Sequence, residues 1–492
     1  MKILMINKFL YPNGGSETYI FKIGEELQRQ GHEVQYFGME HPGRIVGNRV
    51  NSYTGEMEFH SASLLQKLSY PRKIIYSREA REKLRPVLAD FHPDVVHLNN
   101  INFQLTPSVI DEVKEFDPSI RLVYTAHDYQ WVCPNHMLRI PSTGALCTAC
   151  ADGNFSACRR NRCIHNSRLR SFLGAREAEF YRKRHTYRLV DRVICPTQFM
   201  NGMLSHNPDL KGRCVTKLNF VDVKSPAGIN PDREAVNSDI RECDGTSLPT
   251  GRPADASGQR QEGRPPAPDP AGMLSPEIAD LLRQFSVTGY VLYFGRYDEE
   301  KGIGDLLTAA GKHPEIPFVF AGKGVLEEEV NRVPNVRNVG FRAGEDLTAL
   351  IREARFAVYP STWYENCPFS IMEALTAGTP VVAPCLGGIP ELIDDGVTGV
   401  VYPAGASQRA SGSHEDGNVT GGQEGSHDPN GIPNPASEEF HEKDGIAKLE
   451  QAIVSLWNDP ERCRAMSAAC RSITKFPTLS EYVQWLVNEV YC

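Results

Sequence analysis

Strand-like and helix-like patterns alternate along both halves of the chain. In the first half, short apolar strands are expected at 2–7, 34–37, 95–98, 122–125 and 192–195, and in the second half at 290–294, 317–322, 336–341, 357–360, 381–383 and 400–402. Strands separated by helical segments need right-handed crossovers and therefore form parallel sheets. The sequence predicts an α/β protein with two Rossmann-like, doubly wound domains that face a cleft, where ligands bind at the carboxyl ends of the strands.

The composition fits two globular domains. The chain has 492 residues, 40% of them hydrophobic, and a formal net charge of −8, which argues against nonspecific binding of nucleic acid. No apolar run is long enough to span a bilayer. Residues 1–10 have too short an apolar core for a signal peptide and are expected to form a buried strand, so a cytoplasmic protein is predicted.

The segment from Thr362 to Pro390 carries two carboxylates around a predicted helix start. Glu365 lies in a loop, Pro368 suits the first position of a helix, and Glu373 follows on that helix. The helix is expected to end at Gly378. Backbone N–H groups at a helix start attract phosphate oxygens, while carboxylates accept hydrogen bonds from vicinal hydroxyls. This segment therefore favours a receptor for a phosphorylated polyol over two solvated glutamates.

This string resembles the E-x7-E signature of retaining glycosyltransferases of family 4, which have the two-domain GT-B fold. Glu365 and Glu373 have seven residues between them, and A-x-x-A-G-T-P-V-V-A and G-G-I-P-E-L-I follow. The resemblance implies transfer of a hexose from a nucleotide-diphosphate donor to an acceptor hydroxyl, with retention of configuration. Two alternatives stay open: another enzyme on this fold, such as a nucleotide-sugar epimerase or a sugar phosphorylase, or a zinc-stabilised nucleic-acid binder.

The resemblance also implies a role for residues of the second half. Glu365 would contact hydroxyls of the donor sugar and Glu373 the ribose. Backbone groups around Pro368, Phe369 and Ser370 would hold the sugar and phosphate. The base would bind at Gly322, Gly340 and Phe341.

The donor diphosphate is expected to meet two cations and a glycine turn. Arg296 and Lys301 match the family element G-R-x-x-x-x-K-G and can neutralise the leaving group. Gly14 and Gly15 follow the first strand and allow backbone N–H groups to approach an anion. Because the chain contains no D-x-D pair, we predict catalysis that needs no metal.

His127 ends a predicted strand in the sequence T-A-H-D and would then point into the cleft. The family often has a functional histidine at this place, which could bind the donor sugar or orient the acceptor hydroxyl. A purely structural histidine is the equal alternative.

A cysteine-rich insert, predicted at 131–167, follows His127. Cys147 and Cys150 have the spacing of metal ligands, and Cys158 and Cys163 could complete a four-sulfur structural zinc site, with Cys133 as an alternate ligand. An unmetallated thiol loop or a redox site is the alternative.

Residues 159–192 contain eleven Arg or Lys and three acidic residues, interleaved with aromatic residues and leucines. Such a segment could rest on anionic lipid at the inner membrane face, or it could be a solvated helix with an apolar core face. A glycan or lipid-linked acceptor is the expected partner, and no nucleic acid is expected.

These patterns divide the chain into four predicted parts. They are an acceptor-side domain (1–222), a mobile linker (223–284), a nucleotide-sugar-binding domain (285–470) with a disordered loop at 403–439, and a C-terminal helix (471–492). Both mobile segments lack aromatic residues and are rich in polar residues and glycine. The resemblance implies that the terminal helix crosses back onto the first domain.

Overall fold

The computed structural model describes residues 1–55, 75–221, 274–404 and 442–492. Its core is two six-stranded parallel sheets with the orders β2-β1-β3-β4-β5-β6 and β12-β11-β10-β7-β8-β9. The strands of the first sheet are β1 (Lys2–Ile6), β2 (Glu33–Phe37), β3 (Val95–Leu98), β4 (Arg121–Thr125), β5 (Arg192–Cys195) and β6 (Cys214–Thr216). The strands of the second are β7 (Val291–Arg296), β8 (Phe318–Lys323), β9 (Val336–Asn338), β10 (Phe356–Val358), β11 (Val381–Pro384) and β12 (Gly399–Tyr402).

Helices join the strands and cover both sheets. In the first domain they are α1 (Gly15–Arg29), α2 (Arg78–Phe91), α3 (Ser108–Phe116), α4 (Ser156–Arg160), α5 (Arg168–Arg184) and α6 (Gln198–Ser205). The second domain contains α7 (Pro276–Phe285), α8 (Ile303–Lys312), α9 (Glu327–Arg332), α10 (Gly344–Glu353), α11 (Phe369–Thr376), α12 (Ile389–Leu392), α13 (Glu442–Trp457) and α14 (Pro460–Arg471). Short 3-10 turns occupy Thr186–Leu189 and Glu299–Lys301.

The last residues pack on the first domain. Helix α15 (Leu479–Trp485) continues into a π-helical turn, Leu486–Val490. The Tyr482 hydroxyl lies 3.1 Å from that of Tyr19 on α1, and the Tyr491 hydroxyl lies 2.7 Å from Nδ1 of His97 on β3. The end of the chain thus completes the core beside the first sheet.

The strand predictions agree with the structure apart from their ends and one omission. The strand expected at 336–341 ends at Asn338, because Gly340 turns the backbone with φ of +70°. Strand β6 was not predicted from the sequence, since its three residues are only partly buried and give no apolar run. These two six-stranded parallel sheets confirm the predicted α/β architecture of two doubly wound domains.

The prediction of a mobile linker at 223–284 was wrong for its last residues, 276–284. Helix α7 occupies Pro276–Phe285, with Ser275 as the N-cap accepting from the Ile278 amide. Ile278 and Leu281 are buried in the core of the second domain, which explains why this stretch is ordered. Residues 222–273, and the predicted loop at 403–439 from residue 405 onward, lie outside the described residues.

Candidate active site

Glu365 is the centre of a buried hydrogen-bond network in the second domain. One carboxylate oxygen, Oε1, accepts from four donors at 2.6–2.9 Å: Lys301 Nζ, the Tyr359 hydroxyl, the Ser361 hydroxyl and Trp363 Nε1. We call these five residues the Glu365 network. The chain reaches this arrangement because β10 ends just before Tyr359 and the 3-10 turn after β7 carries Lys301.

The charges of this network are set by opposing effects. Burial raises the pKa of Glu365, but the Lys301 ammonium and the hydroxyl donors outweigh it and hold that pKa below its usual value. Burial raises the pKa of Tyr359 well above its ordinary value, so the phenol keeps its proton and donates. Glu365 is therefore an ionised, immobilised carboxylate at neutral pH.

The start of helix α11 lies beside this network and faces the first domain. Pro368 is the N-cap of α11 and not its first helical residue, and Phe369 and Ser370 begin the helix. The Ser370 side chain hydrogen-bonds with Tyr359. The first amides of a helix have no intrahelical acceptors and carry a partial positive charge.

The glycine turn of the first domain lies opposite that helix start. Gly14 is the N-cap of α1, and a Cβ built on Gly15 would lie 3.8 Å from the Phe369 ring. The starts of α1 and α11 are therefore brought together across the cleft. Both present amides suited to an anion.

His127 lies two residues after the end of β4 and is a neutral imidazole. Burial lowers the pKa of His127 to about 3. Its Nε2 lies 2.9 Å from Asn99 Oδ1, and the Asn99 amide group donates in turn to the His97 carbonyl at 3.3 Å. This orientation of Asn99 places the proton on Nε2 of His127, so Nδ1 carries a lone pair.

Arg296 and Glu373 are not among the four donors to Glu365 Oε1. The Arg296 side chain is 68% exposed and pairs with Asp298 at 3.0 Å. Glu373 is exposed on α11. The positive charge of Arg296 acts on Tyr359 of the Glu365 network, where it opposes the effect of burial on the pKa of the phenol.

The residues predicted to lodge a base lie at the carboxyl end of the second sheet. Gly322 ends β8 so close to β7 that a Cβ there would collide with the Gly295 carbonyl. Gly340 and Phe341 follow β9, and the Phe341 side chain is 65% exposed. An exposed aromatic ring at this edge can stack on a planar base.

The five cysteines of the insert line one cavity of about 10 Å³. That volume is close to the space one water or one ion needs. Burial raises the pKa of Cys133 to about 12 and that of Cys150 to about 11, and the Cys158 thiol donates to the Ser171 carbonyl at 3.8 Å. Within the described ranges, no group of three or more His, Cys, Asp or Glu residues is arranged to hold a metal.

The basic segment forms α5 and its flanks, and its apolar residues differ in burial. Tyr181 is buried, whereas Leu169 and Phe172 are 66% and 47% exposed near the start of the helix. Basic and apolar side chains do not separate onto opposite faces of α5, so the expectation of an amphipathic surface was wrong for this helix. None of the helices in the described ranges has the length and apolar character to cross a membrane.

Several residues of the site were missed in the sequence. Tyr359, Ser361 and Trp363 all lie just before Glu365 in the chain. Their position, between the end of a predicted strand and a carboxylate, is the signal that could have identified them. Asn99 carried no signal, because its role depends on the neighbouring ends of β3 and β4.

Two family models match the chain, one on each domain. The model "Glycosyltransferase Family 4" matches residues 13–224, and "Glycosyl transferases group 1" matches residues 288–411. The second match includes the Glu365 network and the start of α11.

Curated relatives are similar over one part of the chain. The α-D-kanosaminyltransferase of Streptomyces kanamyceticus is 32% identical over 124 residues, which cover 23% of this chain and 32% of the relative. The O-antigen chain mannosyltransferase B of Escherichia coli is 33% identical over 134 residues, covering 24% and 35%. The match thus spans about a third of the length of these relatives.

Solved structures are similar over nearly the whole chain. Sucrose-phosphate synthase from Thermosynechococcus elongatus has a TM-score of 0.56 and 15% identity, with 96% of this chain and 93% of that chain covered. HepE of Anabaena in complex with UDP has a TM-score of 0.55 and 16% identity, with 99% of both chains covered. At such identities the likeness shows the fold. Each domain therefore matches a glycosyltransferase family model, and the chain shares the two-domain fold of these solved structures.

Proposed function

We propose that the protein transfers a hexosyl group from a nucleotide-diphosphate donor to an acceptor hydroxyl, with retention of configuration and without a metal. The observation that carries this proposal is the ionised Glu365, held by Lys301 beside the start of α11. The solved neighbours include HepE bound to UDP-glucose and starch synthase IV bound to ADP, which supports a nucleotide-sugar donor here.

Each part of the donor has a suitable partner in the cleft. The Lys301 ammonium and the first amides of α11 stabilise the diphosphate as negative charge builds on it. The exposed Arg296 guanidinium exchanges Asp298 for a phosphate oxygen when the donor binds. Glu365 accepts hydrogen bonds from hydroxyls of the sugar, Glu373 binds the ribose, and Phe341 stacks on the base.

Transfer with retention proceeds on one face of the sugar. The acceptor oxygen forms a bond to the anomeric carbon while the bond from that carbon to the diphosphate breaks. The proton of the acceptor hydroxyl goes to an oxygen of the leaving diphosphate, so no protein nucleophile is needed. His127, neutral and with its Nδ1 lone pair, accepts a hydrogen bond from a hydroxyl of the donor sugar or of the acceptor.

The acceptor is a glycan or a lipid-linked glycan. The mannosyltransferase of O-antigen chains among the relatives supports a saccharide acceptor. Leu169 and Phe172, exposed among arginines near the start of α5, would contact anionic lipid. Co-sedimentation with phosphatidylglycerol vesicles, and loss of it in a Leu169→Asp/Phe172→Asp variant, tests this contact. Equal sedimentation of the two proteins refutes it.

The cysteine cavity would hold one structural zinc through Cys147, Cys150, Cys158 and Cys163. The thiols line one atom-sized cavity, which supports this proposal; because the described residues do not already form a ligand set there, the four side chains would have to turn inward to bind the metal. Metal analysis of the purified protein should find one zinc per chain, and the Cys147→Ser/Cys150→Ser variant should lose it. Zinc-free protein with five titratable thiols in this region would exclude the site.

A panel of UDP-glucose, UDP-galactose, UDP-N-acetylglucosamine, GDP-mannose and ADP-glucose tests the donor. One of these should raise the melting temperature and be turned over in the presence of EDTA. NMR of the product anomer then tests retention. Interconversion of the sugar without transfer would favour an epimerase instead, and salt-sensitive binding of nucleic acid without donor binding would favour a nucleic-acid binder.

A further inference from the structure

The string G-G-I-P-E after β11 links the two domains. Glu391 belongs to the second domain, but its carboxylate accepts from two backbone amides of the first domain. These are the Gln198 amide at 2.7 Å and the Phe199 amide at 2.8 Å, at the start of α6. None of the roles proposed above for binding the donor or the acceptor involves this contact.

The contact is well suited to hold the domains together. The first amides of a helix lack intrahelical acceptors, and a carboxylate there makes charge-assisted hydrogen bonds with the helix dipole in its favour. Thr197 caps the same helix by accepting from the Met200 amide, so Glu391 satisfies the two amides that Thr197 leaves. Separation of the domains would break both bonds to Glu391.

Asn366 makes a second link, directly beside the Glu365 network. Its Nδ2 donates to the Ala126 carbonyl at 3.0 Å, and its Oδ1 accepts from the Thr197 hydroxyl at 3.1 Å. Asn366 follows Glu365 in the chain, and Ala126 precedes His127. The Asn366 side chain therefore holds the loop that contains Glu365 against the segment that contains His127.

The two glycines of the string allow this close docking. The Gly388 amide donates to the Glu365 carbonyl at 2.7 Å. A Cβ on Gly388 would collide with the Asn366 carbonyl and lie 2.5 Å from Cγ2 of Thr197. Gly387 has φ of +59° and would collide with the Glu365 carbonyl. Only glycine permits the Glu365 loop, the G-G turn and the start of α6 to meet.

We propose that Glu391 and Asn366 are positioning residues, which hold the domains in the closed arrangement where Glu365 and His127 face one reacting sugar. The proposal rests on the proposed function for its catalytic consequence. Its structural part stands on the contacts alone: the amides of Gln198 and Phe199 are protected only while the cleft is closed.

Amide hydrogen exchange tests the structural part without any substrate. In Glu391→Ala, the peptide containing residues 198–199 should exchange about tenfold to a hundredfold faster, since hydrogen bonds to a charged acceptor are lost. Glu391→Gln keeps one acceptor oxygen and should show a smaller increase. Glu329→Ala, which removes an exposed carboxylate on α9 of the same domain, is the matched control and should match the wild type.

Kinetics with the donor identified in the panel test the catalytic part. Glu391→Ala and Asn366→Ala should lower kcat about tenfold or more, while the Kd of the donor's nucleoside diphosphate changes much less, because most of its proposed contacts lie in the second domain. Partial rescue of kcat in Glu391→Gln is expected. If both alanine variants had a lower melting temperature but the kcat of the wild type, the two residues would have only a structural role, and the proposal would be overturned.

The two proposals fail in different ways. Unchanged exchange at residues 198–199 in Glu391→Ala overturns the positioning role even if transfer is active. If no donor of the panel is turned over, the proposed function fails, and the exchange measurement still decides whether Glu391 holds the domains together.

Discussion

At the scale of single residues, Glu365 and the donors around it form the centre of the candidate site. A carboxylate with this burial stays ionised only because a cation and neutral donors compensate for the lost water. Lys301 supplies that cation from 64 residues away in the chain. Ionised and fixed in place, Glu365 can recognise hydroxyl groups without reorganising during the reaction.

Replacing Lys301 by alanine removes the cation from this network. We expect kcat to fall about 100-fold to 1,000-fold, because a preorganised charge at the leaving group is lost. The pKa of Glu365 should rise. Circular dichroism should show an intact fold, as it should for the control Lys312→Ala on α8, which should retain full activity. Wild-type turnover by Lys301→Ala would contradict the site assignment.

Glu177 on α5 makes stability depend on pH. Burial raises its pKa to about 8 from the ordinary value of 4.5, and its Oε2 has no hydrogen-bond partner among the described residues. The folded protein therefore holds a proton that the unfolded chain releases above pH 4.5. The stabilisation of the folded state by this bound proton is complete below pH 4.5 and is lost as the pH rises through 8.

Glu177→Gln should consequently stabilise the protein relative to the wild type, on the order of a few kcal/mol at pH 8.5 and much less at pH 5. Urea midpoints of both proteins across this range measure the difference. A difference that does not change with pH would show that Glu177 has an ordinary pKa.

At the scale of elements, close approach between strands and turns shapes the cleft. Gly302 lies between the Lys301 turn and α8, with φ of +71°, and a Cβ there would collide with the Pro360 carbonyl. That carbonyl belongs to the loop leading to Glu365. The turn of Lys301 and the Glu365 loop can meet only because Gly302 has no side chain.

A pair of glycine variants at the two ends of α8 tests this packing. Gly302→Ala should destabilise the protein by more than about 1 kcal/mol, because the new methyl group meets backbone and the positive φ is strained. Gly311→Ala should instead stabilise it by about 0.5–1 kcal/mol, since Gly311 is helical and no atom lies within 4 Å of its added Cβ. Chemical denaturation measures both, and opposite signs are the expected result.

Local sequence patterns predicted most helices and strands. They could not predict residues whose role depends on contacts between different elements. The strand at 95–98 was found because three of its four buried residues, Val95, Val96 and Leu98, are apolar. The end of the linker was missed because α7 buries only a few residues of a polar segment. Glu365 and Lys301 came from a motif, whereas the roles of Asn99, Asn366 and Glu391 depend on neighbours that meet only after folding.

At the scale of the molecule, the end of the chain joins the two domains. After α14 of the second domain, α15 crosses to the first and buries Tyr482 and Tyr491 against Tyr19 and His97. Together with the contacts of Glu391 and Asn366, this crossing limits how far the cleft can open.

Tyr482→Ala should destabilise the protein by about 3–5 kcal/mol, because a large buried aromatic side chain is removed. The exposed Glu489→Ala on the following turn should change stability by less than about 0.5 kcal/mol. Equal urea midpoints for the two variants would show that the terminal segment contributes little to the first domain.

The central claim is that the paired Lys301 and Glu365 take a sugar from a nucleotide diphosphate without a metal. The most direct measurement is sugar transfer in EDTA by the wild type and by Glu365→Ala, using each donor of the panel. We expect transfer by the wild type from at least one donor, with a product that keeps the donor's anomeric configuration, and no transfer by the variant. Transfer that disappears in EDTA, inverts the anomer or survives in Glu365→Ala would contradict the central claim.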